Sequence, residues 1–214
     1  MDTIILEIKN LYKKYSDIPV IDNLSMTLSG QRAAISGASG EGKTSLLNII
    51  LGLRGYDSGT VLKHEKLHLL TVFQEDRLFP SFDALDNIGI YPYPFVKETA
   101  LEILKKLELG DVCDRPAAEY SVGMKRRLAI ARALYGCTAL HAHKPGEPLL
   151  LIMDEPFKGL DPTLRKKVID TVDDIVCRTG SALILVTHES GGAVALGCEQ
   201  IALKPKRRDV NRWH

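Results

Sequence analysis

Long apolar runs are missing from the chain. None approaches the roughly 20 residues that a helix needs to cross a bilayer, and the most apolar stretch, Leu149 to Met153, has the length of a buried strand. Charge of one sign is missing too, since 28 Lys and Arg stand against 27 Asp and Glu. That balance excludes a general nucleic-acid binder, whose footprint would be basic, and no nucleic-acid partner is expected. The four cysteines, Cys113, Cys137, Cys177 and Cys198, are scattered and form no CxxC pair. Neither a zinc site nor a disulfide framework is expected, and a reducing, cytosolic compartment is the simplest reading. Residues 1–8 hold no basic segment followed by an apolar run, so no signal peptide is expected. There is no internal repeat and no low-complexity tract.

What remains is ordinary for a globular domain: 214 residues, 45% hydrophobic and 26% charged. Ile4, Leu6 and Ile8 alternate with polar neighbours, as do Leu24, Met26 and Leu28, so the first 30 residues read as antiparallel β. A short strand, Ala33 to Ser36, leads into a glycine loop and a helix from Lys43 to Leu51, closed by Gly52. A turn at Asp57-Ser58-Gly59 opens a further strand pair ending near Phe73. Between Glu75 and Gly136 helical spacing takes over, in Ala100, Leu101, Leu104 and Leu107 and again in Leu128, Ala131 and Leu134. The segment from Cys137 to Pro148 is polar and reads as a surface loop. Buried strands at Leu149–Met153 and Ala182–Val186, with a helix between them, suit a parallel sheet covered on both faces.

Two patterns carry chemistry. Gly37, Ala38, Ser39, Gly40, Glu41, Gly42, Lys43 and Thr44 fit the P-loop (Walker A) form G-x-x-x-x-G-K-S/T, between a strand and a helix as that motif requires. Glycines let backbone N–H groups converge on phosphate oxygens, and the following helix aims its positive end at the same anion. Lys43 then reaches the β- and γ-phosphates, and the Thr44 hydroxyl ligates Mg²⁺. The second pattern is the strand Leu149–Met153 ending in Asp154 and Glu155. The carboxyl ends of parallel strands are where such sheets place ligands. Asp154 suits Mg²⁺, and Glu155 suits a base on an attacking water.

With these motifs in this order, the chain resembles the ATPase subunit of an ATP-binding cassette (ABC) transporter over nearly its whole length. The resemblance implies one α/β P-loop domain over residues 1–214, with an N-terminal antiparallel β portion. Its α/β core would comprise 1–74 and 137–203, its helical subdomain 75–136 and its basic tail 204–214. The tail carries Lys204, Lys206, Arg207, Arg208 and Arg212 against Asp209; it reads either as a solvated terminus or as a contact for an anionic partner. Tyr15 matches the aromatic that stacks on adenine, and equally reads as a half-buried strand tyrosine. ATP would bind through the loop at 37–45, including Ser45, with Mg²⁺ on Thr44, Gln74 and Asp154. Gln74 matches the residue touching Mg²⁺ and the attacking water. Glu155 and His188 match the catalytic base and the switch histidine. The Gln74–Leu78 run is similar to importers of nitrate, sulfonate and taurine.

Tyr120-Ser121-Val122-Gly123-Met124 stands at the family signature, usually Leu-Ser-Gly-Gly-Gln. Ser121 and Gly123 would contact the ATP of a second copy, and Asp161 would lie at the crossing loop. Ser121 and Asp161 also read as helix N-caps. Val122 and Met124 depart from the pattern and put the strength of ATP-driven closure in doubt. The implied partners are a transmembrane permease, a second ATPase subunit (a homodimer) and a solute-binding protein, with the chain at the cytoplasmic face of the membrane. Phe79, Phe82 and Ile88 are candidates for the permease groove, although core packing is the more common use of such residues. Three alternatives stay open: an ABC ATPase driving export or envelope remodelling, one acting on nucleic acid, and a nucleotide-gated module that hydrolyses weakly.

Overall fold

The computed structural model describes residues 3–37, 41–188 and 190–203; the basic tail lies outside them. Strand β1 (Leu6–Tyr15) is flanked by β2 (Ile18–Leu28) and by β4 (Ser58–Lys63), both antiparallel to it. Its buried side chains are Leu6, Ile8 and Leu11 rather than a strict alternation. The register shifts between Ile8 and Leu11, where Asn10 takes a left-handed backbone with φ 50° and donates its N–H to Ser25 Oγ at 2.9 Å. A bulge of this kind inserts one residue and returns the next apolar side chain to the core face.

The second sheet is wholly parallel. Its strands are β3 (Arg32–Ser36), β5 (His68–Val72), β6 (Leu149–Asp154), β7 (Ala182–Val186) and β8 (Glu199–Ala202), in the order β5-β6-β7-β3-β8. Each residue of β6 and β7 is buried. The alternation divides them between two cores. Leu150, Ile152, Ile184 and Val186 face the antiparallel sheet and helix α1 (Lys43–Ile50). Leu149, Leu151, Met153, Leu183 and Leu185 face the helices on the other side. Fully burying each such side chain is worth about 1.5–3 kcal/mol, so a sheet covered twice needs apolar residues on both faces. The strand pair expected after Asp57 is two strands that never pair with each other: β4 joins the antiparallel sheet and β5 the parallel one.

The helices opposite α1 are α2 (Ala84–Ile88), α3 (Lys97–Lys106), α4 (Val122–His143) and α5 (Pro162–Thr179), with α6 (Ser190–Ala195) nearer the C-terminus. The expected loop at 137–148 is corrected: α4 runs on to His143, and Cys137 is fully buried in the core. Thr138 Oγ1 donates to the Leu134 carbonyl at 3.1 Å, and the His143 ring stacks on Tyr93 at 5.4 Å. Close packing of α4 against β5 requires Gly136, because a Cβ there would lie 2.4 Å from Leu70 Cδ2 and 2.5 Å from the Tyr91 ring.

Ile88 is also corrected as a groove candidate, since it is 0% exposed and part of the core. Phe79 and Phe82 are exposed, with ring centroids 5.3 Å apart. Buried Asn87 holds their loop from beneath: its amide donates to the carbonyls of Phe79 and Phe82, and its Oδ1 accepts the Phe79 N–H at 2.9 Å. Among the described residues no helix is long and apolar enough to cross a membrane.

Candidate functional site

The tips of β3, β6 and β7 lie side by side, and each delivers one part of the site. From β3 the chain passes Gly37 and reaches Gly42, the N-cap of α1, in the left-handed region at φ 90°. A Cβ on Gly42 would sit 2.3 Å from the Val20 carbonyl oxygen, so only glycine fits under β2. Lys43 follows, 7% exposed, and its Nζ donates to the Gly37 carbonyl at 2.6 Å. Ala38, Ser39 and Gly40 lie outside the described residues.

Strand β6 ends at Asp154, and Glu155 steps out of it with φ 47° while its N–H still bonds the Val186 carbonyl at 2.9 Å. Burial pushes the Asp154 carboxyl above the ordinary aspartate range, and the neighbouring Glu155 pushes the same way. Arg126, Lys43 and His188 pull against both. Just past β7, His188 places Nε2 3.3 Å from Glu155 Oε1. That oxygen is shielded from solvent and has no hydrogen bond of good geometry, so the contact is electrostatic rather than a formed hydrogen bond.

One cavity of about 340 Å³ brings Tyr15, Gly42, Lys43, Thr44, Ser45, Gln74, Asp154, Glu155 and His188 to a common wall. A second, of about 380 Å³, opens beside α1 and β5. Thr44, Gln74 and Asp154 line both cavities. A hydroxyl, an amide oxygen and a carboxylate at one junction suit a small hard cation. Among the described residues no group of three His, Cys, Asp or Glu forms a metal cage; a cation sharing its shell with phosphates and water needs none.

Tyr15 ends β1 at 36% exposure. Its hydroxyl accepts from Arg54 Nη1 at 2.8 Å and shares a 3.1 Å hydrogen bond with Ser45, and Arg54 and Lys13 stand 5.2 and 5.5 Å from its ring centroid. Both readings of this residue fit that placement. Five of the expected residues that the structure describes do not line the cavity: Gly37 and Glu41 of the loop, and Ser121, Gly123 and Asp161. Ser121 caps α4, its Oγ accepting from the Met124 N–H at 3.3 Å. Gly123 has open space where a Cβ would be. Asp161 caps α5 through Thr163 and Leu164 at 3.1 and 3.0 Å. Val20 and Lys158 line the cavity without having been singled out; only the proximity of Lys158 to Asp161 in sequence could have pointed to it.

The arrangement combines a glycine cradle with a buried lysine, a cation-suited junction and a carboxylate beside a histidine. It can bind a polyphosphate and present water to its end. Comparison with known proteins agrees. Residues 21–158 match the family model described as ABC transporter. The chain is 32% identical to an aliphatic sulfonates import ATP-binding protein of Yersinia pestis, covering 94% of this chain and 73% of the relative. A protein of the same description from Nocardia farcinica is 35% identical, over 98% of this chain and 82% of the relative. A spermidine/putrescine import ATP-binding protein of Haemophilus influenzae is 29% identical over 94% of this chain, which spans only 55% of that relative. Among solved structures, a dimeric ATP-binding cassette in a post-hydrolysis state with ADP and Pi superposes with a TM-score of 0.75 at 27% identity, covering 92% of this chain and 94% of that one.

Proposed function

The chain belongs to the ABC transporter family as one of its ATP-hydrolysing cassettes, and on that footing we propose that it powers solute uptake through a transmembrane permease. The observation that carries the reading is the shared cavity, with Lys43 and Thr44 on one side and Asp154, Glu155 and His188 on the other. The sulfonate and polyamine importers among its relatives favour uptake over export. In this reading the chain sits at the cytoplasmic face of the membrane. Two copies face head to tail, and a solute-binding protein serves the permease. The exposed Phe79 and Phe82 belong to the face the permease covers.

The division of labour follows from the geometry. Lys43 places its ammonium against the β- and γ-phosphates. Tyr15 offers its ring to adenine, oriented by Arg54 and Ser45. Thr44, Gln74 and Asp154 hold Mg²⁺, which when bound neutralises charge developing on the phosphates. Glu155 accepts a proton from the attacking water. His188 orients the Glu155 carboxylate and donates toward the γ-phosphate. Ser121 and Gly123 contact the nucleotide held by the opposite copy, and Asp161 lies at the crossing between copies. Ser121 and Asp161 are exposed at helix starts and Gly123 is half-buried one residue into its helix, as such contacts allow.

Val122 favours a second reading. It is 83% exposed where the family usually has glycine, and a side chain there weakens closure on ATP, leaving a nucleotide-gated module that hydrolyses slowly. Replacing Glu155 with Gln separates the two. Turnover of ATP with Mg²⁺ should fall by about 10²–10⁴-fold, the usual contribution of a positioned base, while nucleotide binding persists. Equal turnover in the native chain and the variant would refute catalysis by Glu155.

A further inference from the structure

Arg126 lies six residues into the α4 segment that begins at its Ser121 cap, and its guanidinium is buried. Its partners belong to two segments far apart in sequence. Nη1 donates to the carbonyls of Phe73 and, at 3.4 Å, Gln74, and to Asp76 Oδ1 at 3.2 Å. Nη2 donates to the carbonyls of Asp154 and, at 2.8 Å, Glu155, while Nε donates to the Pro156 carbonyl at 3.3 Å. One planar cation thus joins the strand-end segment that carries Gln74 to the strand-end segment that carries Asp154 and Glu155.

Glu155 itself has φ 47°, a backbone conformation that L residues other than Asn and Asp rarely adopt. Such a conformation persists only when its surroundings over-determine it. Here the constraints on the residue are the Val186 carbonyl on its N–H and, on its own carbonyl, Arg126 at 2.8 Å and the Lys158 N–H at 3.3 Å, of which the charged guanidinium makes the shorter bond.

We propose that Arg126 is a positioning residue for hydrolysis: its guanidinium fixes Glu155 in the left-handed backbone that aims its carboxylate, and sets Gln74 at a constant distance from it. The inference rests on the catalytic reading of Glu155 and Gln74 given above. The fork is essential to it. Lysine offers its three donors from a single nitrogen and cannot reproduce the six contacts spread around the fork, whereas arginine presents donors in a fixed plane. Because the same residue sits in the first turns of α4, a shift of that helix is transmitted directly to both segments.

The test uses the full chain with Arg126→Lys and Arg126→Gln. Four properties are measured: thermal melting, mant-ATP affinity with Mg²⁺, steady-state hydrolysis and amide exchange. In the folded variants, kcat should fall by about 10²-fold, the cost of a misplacement near 1 Å, with mant-ATP affinity within about threefold of native. Amide exchange should quicken in residues 73–76 and 154–155 together. A folded Arg126→Lys chain with native kcat, or unchanged exchange in both segments, overturns the proposal. A rise in KM at constant kcat does the same. If neither variant folds, exchange in the native chain decides: the two segments should open in one step with the start of α4, and independent opening refutes the link. Glu155→Gln serves as the control. If the native chain hydrolyses no faster than that control, the catalytic reading fails, while the exchange data still judge the bridge.

Discussion

Asp154 is a site carboxylate whose chemistry is displaced by its place in the fold. Burial first, and Glu155 second, raise its pKa above the value it has in the unfolded chain. The folded protein therefore holds that proton more tightly than the unfolded one. Ionised Asp154 costs stability once the pH has risen through the raised value, and the cost disappears at low pH, where both states are protonated. In EDTA without nucleotide, Asp154→Asn should raise the melting temperature at neutral pH, with the gain shrinking as the pH is lowered. A gain that is the same at all pH values would mean the carboxylate is not the cause. The residue that destabilises the empty site is the one proposed to hold Mg²⁺ with Thr44 and Gln74, so a bound cation repays the cost.

Among the elements, α4 was the hardest to read from sequence. Its first half was legible, because Leu128, Ala131 and Leu134 repeat at helical spacing and all are buried. Its last turns were not: residues 137–143 read as polar, and what keeps them helical is tertiary, from Tyr93 stacking on His143 to the core around Cys137. For Ile88 the choice between groove and core stays open in the sequence for a similar reason, since its burial depends on helices that no local pattern announces. Strands β1, β2, β6 and β7 were plain, because apolar spacing and unbroken apolar runs are local signals, whereas the partner of β4 was not. The cavity residues of the two motifs were legible as well, whereas the arginine that ties those motifs together gave no local sign. Packing of α4 offers a direct check. Gly136→Ala gains about 1 kcal/mol of helix propensity but forces a methyl into Leu70 and Tyr91 at 2.4–2.5 Å, a cost of about 1–3 kcal/mol. A lower urea midpoint is expected, and a higher one would show that the contact relaxes freely. At the other cap, Asp161→Ala should cost about 1 kcal/mol in the same measurement, while Asn, which still accepts from Thr163 and Leu164, should cost less.

At the scale of the molecule, the sheet order decides which loops can cooperate. The β6-β7-β3 neighbourhood sets His188 between the Lys43 cradle and Glu155, although the three lie far apart along the chain. The same plan leaves Ser121 and Asp161 off the cavity, where each caps a helix, and only the proposed head-to-tail pair would give them nucleotide to contact. With ATP and Mg²⁺, a Glu155→Gln chain should therefore run as a dimer in light scattering after gel filtration, and adding Val122→Gly should raise the dimer fraction. A strictly monomeric elution of both would count against the head-to-tail arrangement. The clamped Phe79–Phe82 pair has a practical corollary. Asn87 ties down the backbone that carries both exposed rings, so under the proposed docking a chain produced without its companion keeps an adhesive spot on its surface.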